Sequence, residues 1–312
     1  MRSVLYLFNG TGWGDHFLAI PFIKRHTKIY GSDSLLVVTY ESHIEKLFRN
    51  IEGQYIGLKE PKFCYKKIKD EILQFGPNRL ICFNAFNGFD FDCQMQIYHS
   101  QIKYYGTYSP EGISIRHSYK DYAHTRDQYF LLPGEKAEYT QTDRHISFTD
   151  EEEKEYRSKL HNFLTEIELD KTILIHLDSE SRKLWDPASW FLTLRELIDK
   201  GKKIVFVGSN QEMIKTYLKY LPEAFFLHEP DIRKVFWFVK QCKQFIAIDS
   251  VFMHIADAYE LNGIVLFSDY PAHEWAPISP RIDVVYPAPG KQTRDIPLEQ
   301  VNRLINQRFF RA

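Results

Sequence analysis

Cysteine is scarce in this 312-residue chain: Cys64, Cys82, Cys93 and Cys242 are the whole set, and no two of them form a CxxC pair. That spacing offers neither a zinc knuckle nor a disulfide framework, and it points to a reducing compartment. Net charge is equally slight. Lys and Arg number 40 against 41 Asp and Glu, a formal balance of -1. No broad basic field is present to hold nucleic acid by counterion release, so no nucleic-acid partner is expected and an anionic ligand would have to be gripped locally. Long apolar runs are missing too. No stretch approaches the roughly 18 apolar residues that span a bilayer. The opening MRSVLYLFNG is too short an apolar run for a secretory leader and reads as a first β-strand. A cytoplasmic location is expected, with peripheral contact at the inner face of the membrane left open. Neither an internal repeat nor a low-complexity segment is visible.

What is there is ordinary core-forming material: 44% hydrophobic against 26% charged residues, enough to bury large cores over a length that suggests two domains. Short apolar runs followed by turn residues read as buried parallel strands at 4–8, 35–39, 79–83, 172–176, 203–207, 245–248 and 264–267. Helical stretches alternate with them at 17–25, 42–49, 187–200, 232–242 and 252–259. Ser42 and Glu45 have capping-box spacing, and Asp186-Pro187 is a strong helix start. The alternation predicts an α/β protein with two doubly wound parallel sheets. The divide is drawn between 1–150 and 151–312, where Thr149 and the acidic run Asp150–Glu153 look like a solvated helix start. A last helix at 298–309, apolar at Leu298, Val301, Leu304, Ile305 and Phe309, is expected to pack back on the first domain.

The first segment with chemical character is Asn9-Gly10-Thr11-Gly12-Trp13-Gly14-Asp15-His16, between a strand and a helix. Its glycines let the backbone turn tightly and approach a ligand. Asp15 opens the helix at the carboxyl edge of the sheet, where ligands bind in open α/β folds. Three readings stand side by side. Asp15 is a first-turn acid that stabilises the helix start. Or the glycines form a dinucleotide or S-adenosylmethionine loop, although their spacing is not G-x-G-x-x-G and the nearest acid after the next strand is Glu41. Or Asp15 is a general base, kept ionised by the helix start and able to take a proton from a hydroxyl.

A second segment follows the strand that ends at His176. Arg182 and Lys183 are adjacent cations that could clamp a diphosphate through charge-assisted hydrogen bonds, or could pair with Asp178 or Glu180 at the surface. Trp185 and Trp190 read as packing anchors. A third segment, Asp249-Ser250-Val251-Phe252-Met253-His254, ends another strand and opens a helix whose N–H groups and dipole suit a phosphate. Ser250 adds a hydroxyl. His254, one turn on, is either a core histidine or a further contact to phosphate or sugar.

Taken in order, these segments resemble the heptosyltransferases of glycosyltransferase family 9, which build the inner core of bacterial lipopolysaccharide. Gly12-Trp13-Gly14-Asp15 through Pro21 is similar to the family's opening G-x-G-D; Lys183-Leu184-Trp185 and Asp249-Ser250 with His254 are similar to its later motifs. The resemblance implies a GT-B architecture, two Rossmann-like domains facing across a cleft, the first taking the acceptor and the second the nucleotide sugar. It implies an inverting transfer, without metal or cofactor, of a sugar from a nucleotide-diphosphate donor, ADP-heptose above all, to a saccharide, lipid-linked or protein acceptor. By matching position Asp15 resembles the catalytic base and Lys183 the cation on the departing diphosphate. Gly12, Gly14, Arg182, Asp249, Ser250, Val251 and His254 fall with the donor site. Three positions depart from the family pattern: Val251 replaces a glycine, Ser268-Asp269-Tyr270-Pro271 replaces a Gly-Pro-Thr-like turn, and Asn84 stands where an acid is common. Residues 84–108, with Asp90, Asp92, Tyr104, Tyr105 and Tyr108, are candidates for an acceptor groove. Two alternatives stay open: a dinucleotide- or S-adenosylmethionine-dependent enzyme, and a homologue that binds nucleotide sugar without catalysis.

Overall fold

Runs such as Leu-Leu-Val-Val-Thr-Tyr and Thr-Ile-Leu-Ile-His are rich in branched side chains, which suit a strand buried on both faces. Both form interior parallel strands in the computed structural model. The structure describes residues 1–7, 12–59, 65–82, 103–106, 124–131, 135–268 and 270–310. It divides into two units, Met1–Ser147 and Phe148–Ala312, a few residues ahead of the boundary drawn from the sequence.

The first unit is built on β1 (Ser3–Tyr6), β2 (Leu35–Tyr40), β3 (Gln54–Leu58), β4 (Arg79–Cys82) and β5 (Lys103–Gly106). They pair in parallel in the order β3-β2-β1-β4-β5. The chain moves outward from β1 through β2 to β3, then returns to the other side of β1. The reversal places a topological switch point between β1 and β4. The helical stretch expected at 17–25 is two helices, Trp13–Leu18 and Ile20–Tyr30, with Pro21 in the first turn of the second. Proline has no N–H to continue the first helix but fits the start of another. Ser42 does not cap. The helix there begins at Glu41 after Tyr40 and passes into a π turn at Ile44–Phe48, so Ser42 is already inside it and its hydroxyl meets His43 Nδ1 at 3.4 Å.

The second unit holds β6 (Thr172–His176), β7 (Lys203–Val207), β8 (Phe225–Phe226), β9 (Gln244–Ile248), β10 (Asn262–Leu266) and β11 (Ile282–Val285). All pairs are parallel, in the order β11-β10-β9-β6-β7-β8, and here the switch point falls between β6 and β9. One face of the sheet packs on Trp185, Trp190 and Leu194; Trp185 Nε1 donates to the Ile296 carbonyl at 2.8 Å, and the two indoles meet edge to face. The helix Leu298–Phe309 belongs to this same core. Val301, Ile305 and Phe309 are buried in it, and Asn302 accepts from the Thr193 hydroxyl. The apolar stripe of this helix is buried within its own unit.

Thr149 and Glu152 form a reciprocal capping box at the start of Asp150–Lys159. Glu152 is not part of a solvated run as expected. It is buried and takes two hydrogen bonds from the guanidinium of buried Arg233, at 3.1 and 3.0 Å. The fork geometry compensates both charges for the loss of water.

Candidate functional site

At the switch point of the second unit the ends of β6 and β9 are tied together by side chains. The last residue of β6, His176, is 4% exposed. Its Nδ1 faces Ser250 Oγ at 3.1 Å, its Nε2 faces Asp178 Oδ1 at 2.7 Å, and its ring lies against Phe252 at 4.2 Å. Ser250 caps the helix Val251–Ala258 by accepting from the Phe252 N–H at 3.3 Å. Ser179 reaches across in the same way, its hydroxyl donating to the Asp249 carbonyl at 3.1 Å.

Asp178 is itself held on the far side. Its Oδ2 accepts from the Ser209 N–H at 2.7 Å, the Ser209 hydroxyl at 2.9 Å and the Asn210 N–H at 2.7 Å. Burial pushes this carboxyl up, but His176 and the donors of Asn210 and Ser209 outweigh it and hold it well below the usual carboxylate range. The approach is close enough to demand glycine at position 208. Its φ is +154°, and a Cβ there would stand 2.4 Å from Asp178 Oδ1.

The cations come from the short 3-10 turn Ser181–Lys183. Lys183 Nζ lies 3.2 Å from Asp249 Oδ2, and Asp249, 5% exposed, also accepts from the Ser268 hydroxyl at 2.5 Å. Arg182 is exposed. It pairs with Glu180 at 3.1 Å and donates to the Tyr270 hydroxyl, with its guanidinium 4.5 Å above the Tyr270 ring; Lys183 Nζ lies 4.9 Å from the same ring. Val251 is half-buried at the start of the helix, and His254, one turn further on, is buried in its body. Among the described residues no group of three His, Cys, Asp or Glu side chains could hold a metal ion.

In the first unit Gly12 precedes the helix Trp13–Leu18, with Gly14 and Asp15 in its first turn. The Asp15 carboxylate folds back toward Gly12, where an added Cβ would stand 3.6 Å from Oδ2. The helix start favours the ionised acid there. Buried Tyr129 donates its hydroxyl to the Asp15 carbonyl at 3.1 Å; burial, then the Asp15 charge, pushes that phenol well up. His16 is fully buried, its ring nitrogens 2.9 Å from the Gly12 carbonyl and 3.0 Å from that of Leu7. Trp13 and His16 both lie against the His43 ring at 4.2 Å.

The sequence model of glycosyltransferase family 9 (heptosyltransferase) matches residues 113–297, more than half of the chain. The protein belongs to glycosyltransferase family 9. Solved structures agree on the fold. The family 9 glycosyl transferase of Veillonella parvula is similar at a TM-score of 0.75 with 16% identity, covering 98% of this chain and 96% of its own. The E. coli ADP-heptose lps heptosyltransferase II gives 0.70 with 16% identity over 98% and 99%. E. coli heptosyltransferase WaaC with ADP gives 0.66 with 15% identity over 99% and 100%. No curated protein matches. The two parallel-sheet α/β units are those of a GT-B glycosyltransferase.

In this glycosyltransferase Arg182, Lys183, Asp249, Ser250, Val251 and His254 cluster around the second unit's switch point. Gly12, Gly14 and Asp15 lie together at one helix start of the first. Gly10 and most of 84–108, with Asn84, Asp90, Asp92 and Tyr108, lie outside the described residues, as do the side chains of Tyr104 and Tyr105. Asp249 has the geometry of an anchor for Lys183. Sequence reasoning gave no site role to His176, Asp178, Ser268 or Tyr270. A histidine ending a buried strand, with an acid two residues on, was the legible signal for the first pair. The turn that departs from the family pattern was the signal for the second. No helix among the described residues is long and apolar enough to cross a membrane.

Proposed function

We propose that this glycosyltransferase moves heptose from ADP-heptose to an acceptor hydroxyl, with inversion and without a metal ion. The observation that carries the reading is Lys183, fixed by Asp249 beside the Ser250-capped helix. A cation and a helix start at one point are what a departing diphosphate requires, because negative charge grows on its bridging oxygen as the sugar leaves. Lys183 with Arg182 supplies the positive charge that a divalent ion would otherwise bring. Asp15 takes the acceptor proton as the hydroxyl oxygen forms its bond to the anomeric carbon and the bond to the diphosphate breaks, a single displacement that inverts that carbon. WaaC structures with ADP and with ADP-2-deoxy-2-fluoro heptose support the choice of donor. The acceptor is a saccharide, lipid-linked or protein hydroxyl, and the reaction is placed in the cytoplasm.

A calorimetric screen of ADP, UDP, GDP and dTDP, each with and without Mg²⁺, tests the reading. Metal-independent binding of ADP is expected, weakened about tenfold to a hundredfold in Lys183→Ala and kept in Asp15→Ala, which loses transfer by about a thousandfold. Binding of NAD or S-adenosylmethionine in place of any diphosphate would overturn it.

A further inference from the structure

The stretch after β10 departs from the family pattern, and two of its side chains reach the cation turn. Ser268 donates to Asp249 Oδ2, the same oxygen that Lys183 Nζ meets at 3.2 Å. Tyr270 faces both cations: the Arg182 guanidinium stands 4.5 Å from its ring centroid and Lys183 Nζ 4.9 Å. Tyr270 precedes Pro271, which caps the short helix Ala272–Trp275. A residue before proline is steered to extended backbone, so Tyr270 stays outside that helix.

The two cations are held differently. Lys183 has a buried partner in Asp249. Arg182 has Glu180 as its ion-pair partner, and the two side chains are 42% and 63% exposed. An ion pair in that setting fixes a guanidinium weakly. Tyr270 supplies what the pair does not, a ring face against the guanidinium and a hydroxyl that accepts from Arg182 Nη2. A phenol that accepts a hydrogen bond keeps its own proton to donate. Here the accepted bond comes from a cation, which polarises the O–H and strengthens it as a donor to an anion. The residue is 38% exposed, so a ligand can reach it.

We infer that Tyr270 is a further diphosphate-binding residue: its ring seats Arg182 and Lys183, and its hydroxyl donates to the diphosphate that they meet. The inference rests on the donor site proposed above. One phosphate then sits at the helix that Ser250 caps and the other at the two cations and Tyr270. A monophosphate meets one of these places and a diphosphate meets both, so Tyr270 lets the site tell them apart.

The test is calorimetry of paired nucleotides, ADP with AMP, UDP with UMP, GDP with GMP and dTDP with dTMP, on wild type, Tyr270→Phe and Tyr270→Leu. Tyr270→Phe keeps the ring beside the cations and removes the donor. The diphosphate that wild type binds best should weaken about tenfold, the loss of one hydrogen bond to a charged group. Tyr270→Leu removes the π face as well and should weaken it about threefold further. The matching monophosphate should be nearly unaffected in both variants, so the preference for diphosphate falls. Damage to the fold would lower both ligands together, and the ratio therefore reads positioning alone. Unchanged diphosphate binding in Tyr270→Phe would overturn the inference while the donor site stands. Equal losses for diphosphate and monophosphate would assign Tyr270 a structural role and overturn it as well. If no diphosphate binds wild type, the donor reading fails and the inference fails with it.

Discussion

His16, in the helix after β1, and His176, at the end of β6, lie at corresponding edges of their two sheets, and both are buried, yet their nitrogens meet different partners. His16 faces only backbone carbonyls, Gly12 on one side and Leu7 on the other. Burial pushes its pKa down and the carbonyls recover only part of the loss, so the ring is neutral and its single N–H serves one carbonyl at a time. It sits between the Leu7 and Gly12 carbonyls, a structural task. His176 faces a carboxylate and a hydroxyl. Burial alone does not tell the two histidines apart; the partner atoms do.

The contrast can be broken by acid. Burial first, then the charge of Arg79, lowers the pKa of His26 to about 4, and burial first, then His16, lowers that of His43 to about 3. An unfolded histidine titrates near 6.5, so between that value and these folded values the unfolded chain binds more protons than the native one. The stability these rings contribute is whole above 6.5 and is lost as pH falls toward 4 and 3. At about pH 5 each should have cost the first unit on the order of 2 kcal/mol. Asp178 works in a lower window: its contribution is present above the ordinary carboxylate range and is lost only as pH falls through its own depressed value. Calorimetric scans between pH 7 and about pH 4.5 should therefore show the first unit melting earlier while the second holds. His43→Phe, which preserves stacking on Trp13, should narrow the gap. Two transitions that move together with pH would contradict the assignment.

A smaller effect sharpens the same comparison at the level of caps. Thr149→Ala removes one half of a formed capping box in the second unit and should cost about 1 kcal/mol in urea unfolding. Ser42→Ala, in the first unit, removes a hydroxyl that caps nothing and should change stability by less than about 0.5 kcal/mol. Equal costs would mean that the Ser42 spacing matters after all.

The interior strands were legible as unbroken apolar runs because both faces of each are buried. The four that were missed, β3, β5, β8 and β11, are all sheet edges. β3 carries half-exposed residues along most of its length, β8 is two residues long and β11 includes Asp283, so the run that signals a strand fades where the sheet meets solvent. The site was legible where chemistry sits in one stretch of chain, as at Arg182-Lys183 or Asp249-Ser250. It was not legible where it depends on partners far apart in sequence. Asp178 meets Ser209 and Asn210, and Asp249 meets Ser268; only the parallel sheet brings those strand ends together.

The central claim is that the nucleotide diphosphate is held at the second unit's switch point. Amide hydrogen exchange with and without saturating ADP tests it most directly. Protection is expected across residues 179–184 and 250–254. Protection confined to residues 12–18 would contradict the claim and return the glycine-rich first-unit segment to the place of the nucleotide site.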